Sequence, residues 1–172
     1  LADLLDEASK VRVTTEKGTD ITFYLEGRVA HGRKAGMFIE KGNWGNLPEG
    51  EAFIAPLLAG ANGKIVVDGS FGSVSNIKEP IKLMVREGYA EAIFGGREAE
   101  ELKEILRTVG SKDAYAIAEF GVGTNDKAIV SGRTLEDEKV MGTCHIAFGK
   151  SIDFGGTIDV PIHMDGVIKE PN

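Results

Sequence analysis

The segment VPIHMDG near the end of the chain sets His163 and Asp165 two residues apart among apolar neighbours, in a sequence with only three histidines in 172 residues. An imidazole beside a carboxylate can hold a divalent transition metal or exchange a proton. The second histidine of interest, His145, lies in VMGTCHIAFG. If that run and TIDVPIHMDG form a hairpin through IDFGGT centred on Phe154, His145 falls almost opposite His163. Side chains alternate along a strand, so Asp165 shares the face of His163 while Met164 points away. Two imidazoles and a carboxylate on one patch form a donor set for a transition metal. Pro161 marks the second arm as an edge strand or a bulge.

Two glutamates are placed to complete such a set. Glu51 in GNLPEGEAFIAP and Glu119 in AIAEFGVGTN both enter apolar sequence, where an ionised group is costly unless it is paired or metal-bound. Glu119 is expected at a strand end, before a Gly-rich turn. Glu49 shares the face of Glu51 only if that segment is extended, and the preceding NLP reads as loop. For either glutamate alone an exposed strand-end carboxylate is the plainer reading; beside the histidine pattern, both become candidate ligands.

These residues need a sheet to position them, and the chain is punctuated for one. Its 23 glycines, well above the usual roughly 7%, separate short β-like runs. KVRVTT, DITFYLEG, GKIVVDGS, IKLMVREG, YAEAIFGG, YAIAEFG, KVMGTCHIAFG and IDVPIHMDGVI read as strands, with tight turns at KGTD and at Glu87–Gly88. ADLLDEASK is expected as a short helix. REAEELKEILRTVG is the one long helix, with Leu102, Ile105, Leu106 and Val109 at helical spacing and Gly110 at its C-cap. The segment 30–49 reads as a long polar loop. Strands, then a helix, then strands predict an α+β domain built mainly from antiparallel pairs, a single metal-binding domain over 1–172.

Composition narrows the function classes. Hydrophobic residues make up 42% and charged residues 27%, which is globular usage. The net charge of -7 and the scattered Lys and Arg argue against a nucleic-acid partner. Apolar runs such as FIAPLLAGA fall well short of the roughly 20 residues that span a bilayer, and no leader pattern is visible. A single cysteine, Cys144, cannot form an internal disulfide and fits a reducing, cytoplasmic setting. The chain opens at Leu1 rather than Met, so a piece of a longer protein is expected.

Taken in order, GNLPEGEAFIAP, AEFGVGTN, DEKVMGTCHIAFG and HMDGV resemble the signature blocks of the thermophilic metallo-aminopeptidases that include aminopeptidase T and related leucyl aminopeptidases. The resemblance runs from VRVTTEKGTDITF to the end of the chain. It implies the C-terminal catalytic domain of a longer protein, with Glu51, Glu119, His145, His163 and Asp165 binding two divalent ions (Zn, Co or Mn). Glu51 and Glu119 are then also the catalytic carboxylates. Such a pair of ions can bridge a water, lower its pKa and polarise the carbonyl of a peptide substrate. The resemblance has gaps. That family carries an N-terminal domain absent here and a tyrosine shortly after the HIAFG histidine. In KSIDFGG no tyrosine occurs, and Ile152 is the nearest occupant. The interval from His145 to His163 is also short for those peptidases.

Ring-cleaving dioxygenases acting on dihydroxypyridines resemble the same family and give a rival reading. In it His145, His163 and Asp165 hold one iron and the glutamates are spectators. A noncatalytic binding or homodimerisation module is a third. Among other residues, GVGTN lacks the Lys-Ser/Thr of a phosphate loop. EDEK reads as a solvated turn with Lys139 paired to an acidic neighbour, His31 as an exposed loop residue, and Cys144 as a small core residue. Trp44 either lines the cleft mouth beside Glu51 or anchors its loop; in an aminopeptidase-like site Lys139 or Arg133 could approach the substrate, and neither is counted among the site residues.

Overall fold

The structure, a computed structural model, describes residues 1–34, 36–74 and 77–172. Among these residues nine strands and three α-helices follow in order: α1 (Ala2–Glu7), β1 (Lys10–Thr14), β2 (Asp20–Tyr24), β3 (Glu51–Ile54), β4 (Asn62–Val67), β5 (Ile81–Arg86), β6 (Tyr89–Phe94), α2 (Arg97–Thr108), β7 (Ile117–Gly123), α3 (Thr134–Asp137), β8 (Thr143–Gly149) and β9 (His163–Lys169). They form two sheets, ordered β1-β2-β4-β5-β6 and β3-β7-β8-β9, and all the paired strands run antiparallel. The α+β expectation holds, and each predicted strand is present.

Burial follows from alternation. In β5 the even positions Lys82, Met84 and Arg86 are exposed while Ile81, Leu83 and Val85 are buried. The same period gives each sheet an inner face, and the two inner faces pack into one core. Phe23 of β2 stacks on Phe120 of β7 at 5.6 Å between centroids, joining the sheets. Phe148 of β8 meets Phe71 edge to face at 5.8 Å. Helix α2 buries Ala99, Leu102 and Leu106 and packs on β5 and β6, on the five-stranded sheet. Gly110 follows it with φ +70°, the left-handed geometry that ends a helix at low cost. The β5–β6 turn also needs positive φ, supplied at Glu87 and Gly88.

The β8–β9 connection differs from the expected register. Gly149 pairs with His163 and His145 with Val167, so the hairpin centre moves from Phe154 to Gly156. The reason is the connection itself: Ile152–Phe154 forms a 3-10 turn, Ser151 N bonds to Ile158 O at 2.9 Å, and β9 begins only after Pro161. The two histidines are therefore not opposite each other. They still share a face, because the slip is an even number of residues.

The 36–48 segment is exposed, as a polar loop should be, but its exposed residues include Phe38, Ile39 and Leu47. Trp44 is 91% exposed. It lines a surface concavity with Phe38 and Ile39 rather than the cleft beside Glu51. No helix among the described residues is long and apolar enough to cross a membrane.

Candidate metal centre

All five candidate ligands lie on the outer face of the four-stranded sheet. The register explains how. Glu119 of β7 and Asp165 of β9 both pair with Ala147 of β8, so the two carboxylates flank one small residue. His163 sits one pair further along the same face of β9. Glu119 reaches that face through a bulge: Ile117 pairs with Phe148 and Glu119 with Ala147, leaving Ala118 over. In a regular strand, Ile117 and Glu119 would face the same way. The extra residue sends Ile117 into the core and re-aims Glu119 outward. The expectation that Glu119 lies at a strand end is thus corrected; it is inside β7.

His145 depends on a glycine. It pairs with Gly121, and a Cβ at Gly121 would lie 2.0 Å from His145 Nε2. The ring lies across bare backbone toward Glu119 and Glu51. Its Nε2 is 3.2 Å from Glu119 Oε1 and 3.3 Å from Glu51 Oε2. Glu51 opens β3, which is tied to the end of β7 by Thr124 N to Gly50 O at 2.9 Å and Asn125 Nδ2 to Glu49 O at 2.7 Å. Asn125 of GVGTN is therefore a structural clip. Glu49 faces elsewhere, accepting from Asn46 N at 3.1 Å.

Two compact donor groups result, Glu51–Glu119–His145 and Glu119–His163–Asp165, sharing Glu119. Neither contains both imidazoles. His163 Nε2 is 3.6 Å from Glu119 Oε2 and 3.5 Å from Asp165 Oδ1. Its Nδ1–H donates to Lys150 O at 2.7 Å, which leaves Nε2 directed at the carboxylates, the orientation found in metal-bound imidazoles. Glu51 Oε2 and His145 Nδ1 are buried without a hydrogen-bond partner.

The electrostatics reflect this crowding. Burial alone would lower His145, but its bond to Glu119 and the charges of Asp165, Glu119 and Glu51 outweigh it and raise the imidazole to about 9. His163 is likewise raised to about 9 against its burial, by Asp165 and Glu119. Burial raises Glu119, whereas Asp165, although buried, is lowered by its bond to His163 and by the nearby cations. Protons on the imidazoles neutralise the carboxylates, and a bound divalent cation would take over that role.

EDEK is not a solvated turn. Asp137, Glu138 and Lys139 are all buried. Asp137 caps the preceding loop by accepting from Ser131 N at 2.7 Å and Gly132 N at 3.0 Å. Thr134 Oγ1 donates to Gly72 O at 2.9 Å. The chain then crosses Gly123, where a Cβ would lie 2.1 Å from Val140 O. This carries Lys139 into the site, with Nζ 2.6 Å from Glu51 Oε1 and also paired with Glu138. Lys139 is 1% exposed. Its two carboxylate partners outweigh burial and raise its pKa. One ammonium shared between two carboxylates does not hold both fully ionised: burial and the charge of Asp165 lift Glu138 to about 7. The sequence signal for this burial, a run of four charges across the end of a one-turn helix, is indistinguishable from a surface turn. Arg133 is exposed.

The centre opens into a cleft of about 380 Å³ lined by Glu51, Glu119, Glu138, Lys139, His163 and Asp165 at its polar end. Its apolar lining includes Phe53, Phe154 and Leu135. His31 is not the exposed loop residue expected: it pairs with Phe53 in an isolated bridge and stacks on that ring at 5.1 Å. Phe154 meets Phe53 edge to face at 5.7 Å and His163 at 5.6 Å. Ile152 is 47% exposed and does not line the cleft. Cys144 is a core residue as expected, its thiol pushed up to about 12 by burial.

Residues 1–165 match the family model described as NicX, 2,5-dihydroxypyridine 5,6-dioxygenase. The chain is 26% identical to the 2,5-dihydroxypyridine 5,6-dioxygenase of Pseudomonas putida over 94% of this chain and 49% of that protein. The solved structure of the 2,5-dihydroxypyridine dioxygenase of Pseudomonas putida superposes with a TM-score of 0.89 at 24% identity, covering 99% of this chain and 52% of the other. Wild-type AmpT from Thermus thermophilus superposes with a TM-score of 0.73 at 22% identity, over 98% and 46%. The chain thus spans about half the length of these relatives. The family match overturns the metallo-aminopeptidase assignment, and the readings as hydrolase and protease fall with it. The likeness to AmpT is one of fold. The signature blocks misled because they hold glycines and donor residues, which the sheet and a metal site require whatever chemistry follows.

Proposed function

The chain belongs to the NicX family of 2,5-dihydroxypyridine 5,6-dioxygenases, and from that premise we propose that its cleft binds a dihydroxylated pyridine-type ring and opens it with dioxygen at one iron(II) ion. The observation that carries this reading is the extent of the family match, residues 1–165. In the reaction the family name describes, the bond between ring carbons 5 and 6 breaks and both oxygen atoms end on those carbons, so no outside reductant is needed.

The proposed ligands are Glu119, His163 and Asp165, which line the cleft and form one of the two compact donor groups. His145 lies beneath them and steadies Glu119, and Glu51 is held by Lys139. The three proposed ligands differ from the two-ion set and from the His145–His163–Asp165 triad expected from sequence, both of which draw on the same cluster of side chains. One imidazole and two carboxylates are donors that a divalent first-row ion such as iron(II) accepts, although they hold one imidazole fewer than the two-histidine, one-carboxylate triad, and the cleft leaves room for exogenous ligands. When bound, the ion supplies a path for electrons between the ring and dioxygen, which side chains of this kind cannot provide. The chain's own residues do the rest. Lys139 sets a fixed positive charge at the polar end of the cleft. Glu138, lifted to about 7, is suited to take the proton a ring hydroxyl sheds on binding. Phe53, Phe154 and Leu135 keep water from the ring.

The test is oxygen uptake by protein loaded anaerobically with iron(II) and given 2,5-dihydroxypyridine. The expected result is one dioxygen consumed per ring, with loss of the ring's absorbance. An iron-loaded protein that consumes no more oxygen than iron(II) in buffer overturns the reading.

A further inference from the structure

We infer that Phe154 and Phe53 form an aromatic subsite that selects a flat ring; the inference rests on the proposed function and names the residues that recognise the substrate class. Phe154 occupies the β8–β9 connection, where the sequence offered no tyrosine. Its phenyl lines the cleft and stands edge to face with both Phe53 and the ring of His163. That makes a wall of two phenyl rings beside a candidate ligand.

The wall is fixed in place from behind. His31 stacks on the ring of Phe53 and sets Nε2 3.3 Å from the carbonyl of Phe154. Arg28 donates to the carbonyl of Gly155. Gly155 itself has φ +97°, a conformation that favours glycine, and the chain reverses there directly after Phe154. A subsite held by its own backbone contacts loses little entropy when it binds. Phenyl rings offer quadrupole contacts to another flat π-system and no hydroxyl to a tetrahedral oxyanion, so the wall suits a planar ring and not a peptide in transit to hydrolysis.

The test is anaerobic binding, without turnover, to iron-loaded wild type, Phe154→Leu and Phe154→Tyr, using 2,5-dihydroxypyridine as probe and measuring iron content in parallel. Leucine keeps the apolar bulk but removes the flat face. Phe154→Leu is expected to weaken binding about 3- to 10-fold, with iron content unchanged and Phe154→Tyr close to wild type. A second pair of probes, hydroquinone and cyclohexane-1,4-diol, tests flatness directly, and wild type should bind the aromatic diol more tightly. Equal binding of these two diols, wild-type affinity in Phe154→Leu, or loss of iron in step with loss of binding each overturns the inference. Ring binding without oxygen uptake sinks the dioxygenase reading and leaves this subsite standing. Oxygen uptake with an indifferent Phe154→Leu does the reverse.

Discussion

Single side chains at the site are under opposing demands, and each gives a distinct expectation. Lys139 is buried between Glu51 and Glu138, so Lys139→Met leaves two buried carboxylates without their cation. Breaking such a pair costs about 3–5 kcal/mol, and urea denaturation should show that loss in the metal-free protein. Glu119 is shared by both donor groups. Glu119→Ala should therefore lower iron affinity more than Glu51→Ala, by at least about 10-fold, as measured by metal content after dialysis. The histidines set a pH dependence. Both are raised from 6.5 to about 9 in the absence of a cation. Their pairing stabilises the fold fully below pH 6.5, and that contribution is lost as pH rises through 9. Below pH 9 a cation entering at His163 must displace its proton, so affinity should increase with pH across that window, and calorimetry in buffers of different ionisation enthalpy should detect proton release. Apparent affinity independent of pH would count against His163 as a ligand.

At the level of elements, faces were more legible in the sequence than register. The period of two put His145, His163 and Asp165 on one side of their strands, and the structure keeps them there. What the sequence left open was the bulge at Ala118 and the slip of the β8–β9 hairpin. Both depend on backbone bonds inside a connection whose residues carry no periodic signal. The burial of Glu138 and Lys139 was equally hidden, because it comes from the path of the chain across Gly123. Gly121 offers a sharp test of the register. With a Cβ 2.0 Å from His145 Nε2, Gly121→Ala should displace the imidazole, destabilise by about 1–3 kcal/mol and reduce iron binding. Helix α2 provides the contrast. Leu106 is fully buried on the other sheet, so Leu106→Ala should cost about 2–5 kcal/mol while metal content per folded molecule stays unchanged.

For the molecule as a whole, the five-stranded sheet serves as the support and the four-stranded sheet carries the chemistry. The fold class was readable from the order of strand and helix signals. The family was legible only as the rival reading, the ring-cleaving dioxygenases, which the family match supports over the aminopeptidases. AmpT and the pyridine-ring dioxygenase both superpose over nearly all of this chain, so the fold alone does not choose between the two readings. Because the proposed ligands come from two strands of a packed sheet, the folded form should bind iron(II) far better than the unfolded chain. At about 100 times Kd, the ion should add about 2.7 kcal/mol of stability, reversed by a chelator. The hairpin that joins β8 to β9 has a further consequence. The amides of β8 are paired on both sides, with β7 and with β9, so deuterium should enter them only when the entire domain opens, and an ion should be able to leave and return many times during the life of one such closed strand.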